Sequence, residues 1–287
     1  MHRIILDVPA LGIAIRAADF FVVLAVVVAV VIGPRWAERL EGLDRRAVRR
    51  ALLVLAVVTL AGARLHFIIN YPEAFASHPL AALKLWTGGL HIPGGILALA
   101  LAAPWVTARF GIPVGRFGDG ITPAVGVGIA VARLGCFLQG CCFGTTCDYA
   151  WCVTFPADAS PFYVHRDMGL LPPDATHSLA VHPLQLYFAA SGLAITAMAL
   201  WLRRHKRYDG QVALVGLLMF SLVSVAGLES FRADYRPRVF WGPLPQLTWT
   251  GLAMGAGTVV VLAIAALRQR RSVGRIFPAS VESGRRV

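Results

Sequence analysis

Seven stretches of this chain are apolar for nearly the length a helix needs to cross a hydrocarbon core, about 20 residues. They are residues 15–32, 51–69, 90–106, 121–138, 183–202, 212–229 and 247–267. Polar and charged residues cluster between them. Backbone N–H and C=O groups in lipid must be paired within the segment, so these runs predict helices and exclude open strands. The pattern predicts an all-α polytopic membrane protein, a seven-transmembrane-helix bundle with an external insertion, residues 145–181, between spans four and five. The interior of that insertion is not legible from the pattern. Residues 1–12 are mixed in polarity, with Asp7 and Pro9, and no short apolar region ends in a small-residue cleavage site. The first run is therefore expected to remain as a span. No internal repeat or low-complexity tract is present.

Charge then orients the bundle. The chain carries a net +12, almost all from arginine; Lys84 and Lys206 are its two lysines. In a soluble chain that balance would suggest nucleic acid. Here 18 of the 27 basic residues fall in segments 34–50, 107–120, 203–210 and 268–287, all on one side of the predicted spans. The positive-inside rule makes that side cytoplasmic, with the N-terminus outside and the C-terminus inside. The expected partner is therefore the bilayer and not nucleic acid. Residues 1–267 read as one membrane domain, and 268–287 as a basic cytoplasmic tail near acidic lipids.

Polar residues at span ends are the candidates for chemistry. Arg133 lies near the end of the fourth run, in the stretch Ala132-Arg133-Leu134-Gly135-Cys136-Phe137-Leu138-Gln139-Gly140-Cys141-Cys142-Phe143-Gly144. A guanidinium at such a place costs about 2.5–3.5 kcal/mol on insertion scales, so it is kept where it faces a polar cavity or an anion, or where it snorkels to the headgroups. Arg64 closes the second span, and His66 follows it. His91 and Pro93 open the third, where proline suits a helix first turn. His182-Pro183-Leu184-Gln185-Leu186-Tyr187 opens the fifth, and Tyr187 also fits an interfacial aromatic. Glu229 and Arg232, and likewise Arg16 and Asp19, are three residues apart and share a helix face, so each pair admits a structural ion pair. The five cysteines, Cys136, Cys141, Cys142, Cys147 and Cys152, lack two Cys-x-x-Cys pairs. No metal site, cofactor or thiol-redox pair is expected from that spacing. On an oxidising side Cys147 and Cys152 can form a disulfide.

The run from Arg133 to Gly144 resembles the signature of bacterial prolipoprotein diacylglyceryl transferases. Arg133, Gly135, Cys136, Phe137, Gly140 and Gly144 fit it; Ala132 and Gln139 stand where that family usually has glycine and asparagine. Trp86-Thr87-Gly88-Gly89, the 182–187 run and the segment from Glu229 to Arg232 resemble further family patches in the same order. The resemblance implies transfer of a diacylglyceryl group from phosphatidylglycerol to the lipobox cysteine of prolipoprotein signal peptides, in the bacterial inner membrane. It implies Arg133 and Arg232 on the headgroup phosphate; the catalytic position it implies falls on Pro93 here, and His91, two residues earlier, is the candidate base in its place. Arg64, Gln139, Gly144, Gln185, Tyr187 and Glu229 are implied around the substrate. The chain departs from the pattern at Ala17, Ala18 and Asp19, where a tyrosine-bearing run is usual, at Pro93, and at Phe188, which replaces a glutamate. Two alternatives stay open: a divergent paralogue with another acceptor or no activity, and a phospholipid-binding or transport protein.

Overall fold

A computed structural model describes residues 4–8, 13–76, 79–83, 89–234, 240–241 and 244–276, and in it the apolar runs are helices. A two-stranded ribbon, β1 (Ile4–Val8) and β2 (Ile13–Arg16), precedes α1 (Ala17–Glu41). Then come α2 (Arg45–Asn70), the single turn α3 (Glu73–Ala76), α4 (Ile92–Arg109) and α5 (Val114–Gln139). A short helix in the insertion, α6 (Ser160–Asp167), is followed by α7 (Leu184–Leu202) and α8 (Gln211–Met219). A small ribbon, β3 (Phe240–Trp241) and β4 (Leu244–Pro245), leads into α9 (Gln246–Ile276).

Six helices among the described residues are long and apolar enough to cross a membrane: α1, α2, α5, α7, the helix Gln211–Phe231 that α8 begins, and α9 over Thr248–Ala265. Their large apolar side chains point outward. Val23, Val57, Leu65 and Val260 are exposed on α1, α2 and α9, as helices that are hydrophobic all round require when lipid is the solvent. Two expected boundaries move. The ribbon delays the first helix to Ala17, and α9 stays helical to Ile276, beyond the expected start of the tail at residue 268. Residues 277–287 lie outside the described residues.

The centre of the bundle is α5, packed between α1 and α7. The hydrophobic effect does not drive helices together in lipid, so close backbone approach and polar contacts do that work. Accordingly Gly120, Ala124, Gly126, Gly128 and Ala130 are buried on α5. A Cβ on Gly126 would lie 2.5 Å from the Gly192 carbonyl of α7, so only glycine permits that approach. Beside it Thr196 Oγ1 donates to the Pro123 carbonyl at 3.0 Å. The second pair is α2 with α4, where a Cβ on Gly62 would lie 2.8 Å from the Gly94 carbonyl.

The basic end of the bundle is closed by buried charge. Asp119, 3% exposed, accepts from the Gly210 and Ala213 N–H groups at 2.9 and 3.0 Å and from Lys206 Nζ at 3.1 Å. Lys206 also donates to Glu41 at 2.6 Å, and Arg116 Nη2 donates to the Glu41 carbonyl. Burial works against the Lys206 ammonium. The hydrogen bonds to Glu41 and Asp119 overcome it and hold its pKa above the ordinary lysine value.

At the opposite end the insertion has a core of its own, which the hydrophobic pattern did not reveal. Phe143, Phe155, Ala159 and Val181 are fully buried there, and isolated bridges tie Thr146 and Val153 to Val181. Cys147 and Cys152 form a disulfide. The sixth apolar run is the least regular. After Met219 it widens into π-helical turns over Phe220–Gly227 and then tightens into a 3-10 turn, Leu228–Phe231. Widened turns of this kind occur at functional sites more often than elsewhere.

Candidate active site

The stretch carrying Arg133 is joined to Arg232 through backbone pairing. Gly140, in the left-handed region (φ 75°), ends α5 and turns the chain back. Residues 143–145 then run antiparallel to 231–233: the Thr145 N–H donates to the Phe231 carbonyl and the Ala233 N–H to the Phe143 carbonyl, both at 3.0 Å. Gly144 stands opposite Arg232 in this bridge, and its N–H donates to the His182 carbonyl at 3.1 Å. A Cβ on Gly144 would lie 2.9 Å from that of His182, which explains the glycine. Three patches far apart in sequence meet at this one residue.

They enclose a narrow hollow lined by Arg133, Arg232, Glu229, Phe188 and Pro93, with Phe220 and Val225 from the π turns and Thr250 and Met254 from α9 behind them. The two arginines differ in their surroundings. Arg232, 8% exposed, is held by Asp234 at 2.5 and 2.8 Å, by Glu229 at 2.7 Å, and by the Cys142 sulfur at 3.0 Å. Burial acts to lower its pKa, but the Cys142, Asp234 and Glu229 charges hold it above the ordinary arginine value. Arg133 has no carboxylate partner among the described residues. Its guanidinium carbon sits 4.0 Å from the centre of the Phe188 ring, a cation–π contact that positions the group without neutralising it. Phe188 therefore contributes to the site although it is apolar.

Next to Arg232, Cys142 adopts φ 59°, which side-chain-bearing residues seldom do. Thiol hydrogen bonds from Cys136 and Cys141, together with the Arg232 charge, lower the Cys142 pKa against the effect of burial. Hydrogen bonding with Cys136 and Cys142, and burial, raise the pKa of Cys141.

The other expected site residues lie around the hollow or away from it. Gln185 is completely buried; its Nε2 donates to the Cys141 carbonyl at 2.7 Å, and its Oε1 has no hydrogen-bond partner among the described residues. Tyr187 Oη lies 3.1 Å from His182 Nδ1. Gln139 Oε1 accepts from the Ala18 N–H at 3.0 Å, linking the end of α5 to the first turn of α1. Arg64, 6% exposed, donates to the carbonyls of Ala81, Ala82 and Gly89 at 2.7, 2.8 and 3.0 Å. It fastens the segment between α3 and α4 to the end of α2. Trp86, Thr87 and Gly88 lie outside the described residues. His91 caps α4, with its N–H on the Ala63 carbonyl at 3.0 Å and its Nδ1 3.3 Å from His66 Nδ1, among the rings of Phe67 and Tyr71. It is not among the residues that line the hollow, whereas Pro93 is. Arg16 and Asp19 form no ion pair with each other among the described residues, and both are exposed.

Comparison with known proteins places this arrangement. A family model described as prolipoprotein diacylglyceryl transferase matches residues 5–268. The chain belongs to the prolipoprotein diacylglyceryl transferase family. It is similar to proteins named phosphatidylglycerol-prolipoprotein diacylglyceryl transferase in several bacteria. The one from Bordetella avium is 28% identical over 220 residues, 76% of each chain. The one from Methylobacillus flagellatus is 29% identical over 234 residues, 81% of this chain and 79% of that one. A third, from Pseudomonas fluorescens, is 29% identical over 215 residues, 74% and 71% of the two chains. In this member of the transferase family, sequence reasoning picked out the two arginines but missed Asp234, Cys142 and the ring of Phe188. Asp234 was visible two residues after Arg232; nothing in the sequence marked the other two as partners of these arginines.

Proposed function

We propose that this chain transfers the diacylglyceryl group of phosphatidylglycerol to the lipobox cysteine thiol of a prolipoprotein. The thiolate sulfur attacks the glycerol carbon that carries the phosphoester. A carbon–sulfur bond forms, the carbon–oxygen bond to phosphate breaks, glycerol phosphate leaves with the electron pair, and a base takes the thiol proton. The demand on the protein is a fixed cation at the phosphate as its charge grows. Arginine's planar fork meets that demand better than an ammonium would.

One observation carries the reading: Arg133 lines the hollow against the Phe188 ring and has no carboxylate partner among the described residues, while the neighbouring Arg232 is already occupied by two carboxylates. In this reading Arg133 is the principal phosphate ligand. Arg232 shapes the wall and lends a second, partly offset charge, with Glu229 as its tether. Arg64 and Gln139 are braces for the elements around the hollow. Gly144, Gln185 and Tyr187 hold the stretch opposite the substrate. His91, next to His66 at the cap of the helix that carries Pro93, is the proton acceptor.

The same reading orients the molecule. The third apolar run, α4, is a seventh span, residues 1–267 are the membrane domain with the insertion 145–181 outside, and the basic end is cytoplasmic, leaving the N-terminus outside. The Cys147–Cys152 disulfide supports that side for the insertion, since such bonds persist in oxidising compartments. Incubation of the purified protein with phosphatidylglycerol vesicles and a model lipobox peptide, followed by mass spectrometry, tests the reaction. A thioether adduct with released glycerol phosphate is expected. Lipid that co-purifies but remains intact would show a binder and sink the transfer.

A further inference from the structure

Three cysteine sulfurs with no role in the reaction above meet at the end of α5. Cys136, Cys141 and Cys142 are free thiols, and their Sγ atoms all lie within 4.8 Å of one another. Their sequence spacing gives no pair of the Cys-x-x-Cys kind, which is why composition argued against a metal there. The fold reverses that argument. The left-handed residue Gly140 ends the helix and Cys142, with φ 59°, turns the chain again, so that Cys141 and Cys142 come back over the last turn of α5. The Cys141 N–H donates to the Cys136 carbonyl at 3.1 Å, which fixes this return.

We propose that Cys136, Cys141 and Cys142 form a three-thiolate site for a soft divalent metal ion of the zinc and cadmium class. A tetrahedral ion about 2.3 Å from each sulfur keeps its ligands about 3.8 Å apart. The Cys141 and Cys142 sulfurs are already at 3.8 Å, and Cys136 closes the set with a small side-chain movement. Loading replaces the thiol protons that the three cysteines still hold, which go to solvent, with three metal–sulfur bonds, and no electron is transferred. The loaded cluster carries one net negative charge, and the Arg232 guanidinium, 3.0 Å from the Cys142 sulfur, offsets it. Water supplies the fourth ligand, as in open zinc sites. Cys136 and Cys141 are only partly buried, which leaves the ion a way in. A bound ion competes with Arg232 for the Cys142 sulfur and so acts on one wall of the hollow. Among the described residues the other sulfur-containing group, Cys147, Cys152 and His182, is closed as a ligand set by its disulfide.

The test uses the full-length protein in detergent, with three reactive thiols confirmed by titration, and cadmium ion as the probe. Sulfur-to-cadmium charge-transfer absorption should rise to one ion per chain and fall when a chelator is added. Each of Cys136→Ser, Cys141→Ser and Cys142→Ser should weaken binding by about 100-fold or more, since loss of an outer-shell partner alone costs 10–100-fold. The double variant Cys147→Ser/Cys152→Ser should still bind through the three-cysteine set. Wild-type protein alkylated at its three free thiols should not bind, and this control needs no refolded variant. Absence of a stoichiometric band in protein with its three free thiols reactive and its disulfide intact, or a band that survives any of the three single Cys→Ser changes or alkylation, overturns the site.

Discussion

The two ends of the bundle use the same ingredients, arginine or lysine beside carboxylates, and put them to opposite ends. At the basic end Asp119 meets two backbone N–H groups and the Lys206 ammonium, and Lys206 in turn meets Glu41. Those charges are fully engaged and lock α1, α5 and the start of α8 together. At the insertion end Arg232 is engaged in the same way by Glu229 and Asp234, but Arg133 has no carboxylate partner among the described residues. On the proposed reading, this difference is what marks the site. A charge whose coordination is complete is a fastener; a charge left facing a hollow, with only an aromatic ring behind it, is available for a ligand.

The comparison can be broken most forcefully at its fastener. Asp119→Ala removes the partner of Lys206 and of two backbone donors, and breaking a buried pair costs about 3–5 kcal/mol. Thermal inactivation in detergent should shift sharply downward, while turnover per folded molecule stays near that of the parent. A large loss of turnover at unchanged stability would mean that the basic end takes part in the chemistry.

Arg133→Ala is the matching experiment at the other end. Removing one preorganised donor to a developing anion lowers turnover by about 10²–10³-fold. Stability should hardly change, since no described carboxylate loses a partner. Arg133→Lys should restore only part of the rate, because an ammonium cannot present the planar fork. Wild-type transfer by the alanine variant would remove Arg133 from the site.

Arg64 sharpens the distinction within the insertion end. Its guanidinium fastens three carbonyls, so Arg64→Ala should cost about 2 kcal/mol of stability, within the range for hydrogen bonds to a charged group. Limited proteolysis between α3 and α4 should accelerate more than KM for the lipid rises. The reverse outcome would make Arg64 a substrate ligand.

The smallest effect concerns the insertion itself. Burial pushes the His165 imidazole below its ordinary pKa of 6.5, and its Nδ1 accepts the Leu179 N–H at 3.2 Å. Because the folded pKa is the lower one, this stabilisation is present above about 6.5 and is lost as pH falls through the folded value. The cost is about 1 kcal/mol, one hydrogen bond. Protection of the Leu179 amide, relative to its intrinsic exchange rate at each pH, should fall in that window, and His165→Asn should flatten the dependence.

Hydropathy alone determined the class of this protein, because a bilayer of fixed thickness leaves the backbone few choices: 20 or so apolar residues must be a helix. The order of the patches around Arg133, Gln185 and Glu229 was legible for the same reason, since each sits at a span end. Tertiary structure alone decided how each arginine is partnered among the described residues. Whether Arg133 or Arg232 keeps an open side depends on Asp234, Phe188 and Cys142, brought together by the backbone bridge at Gly144 and by the turn after α5. A sequence records that a charge is present; only the packed chain records what already satisfies it.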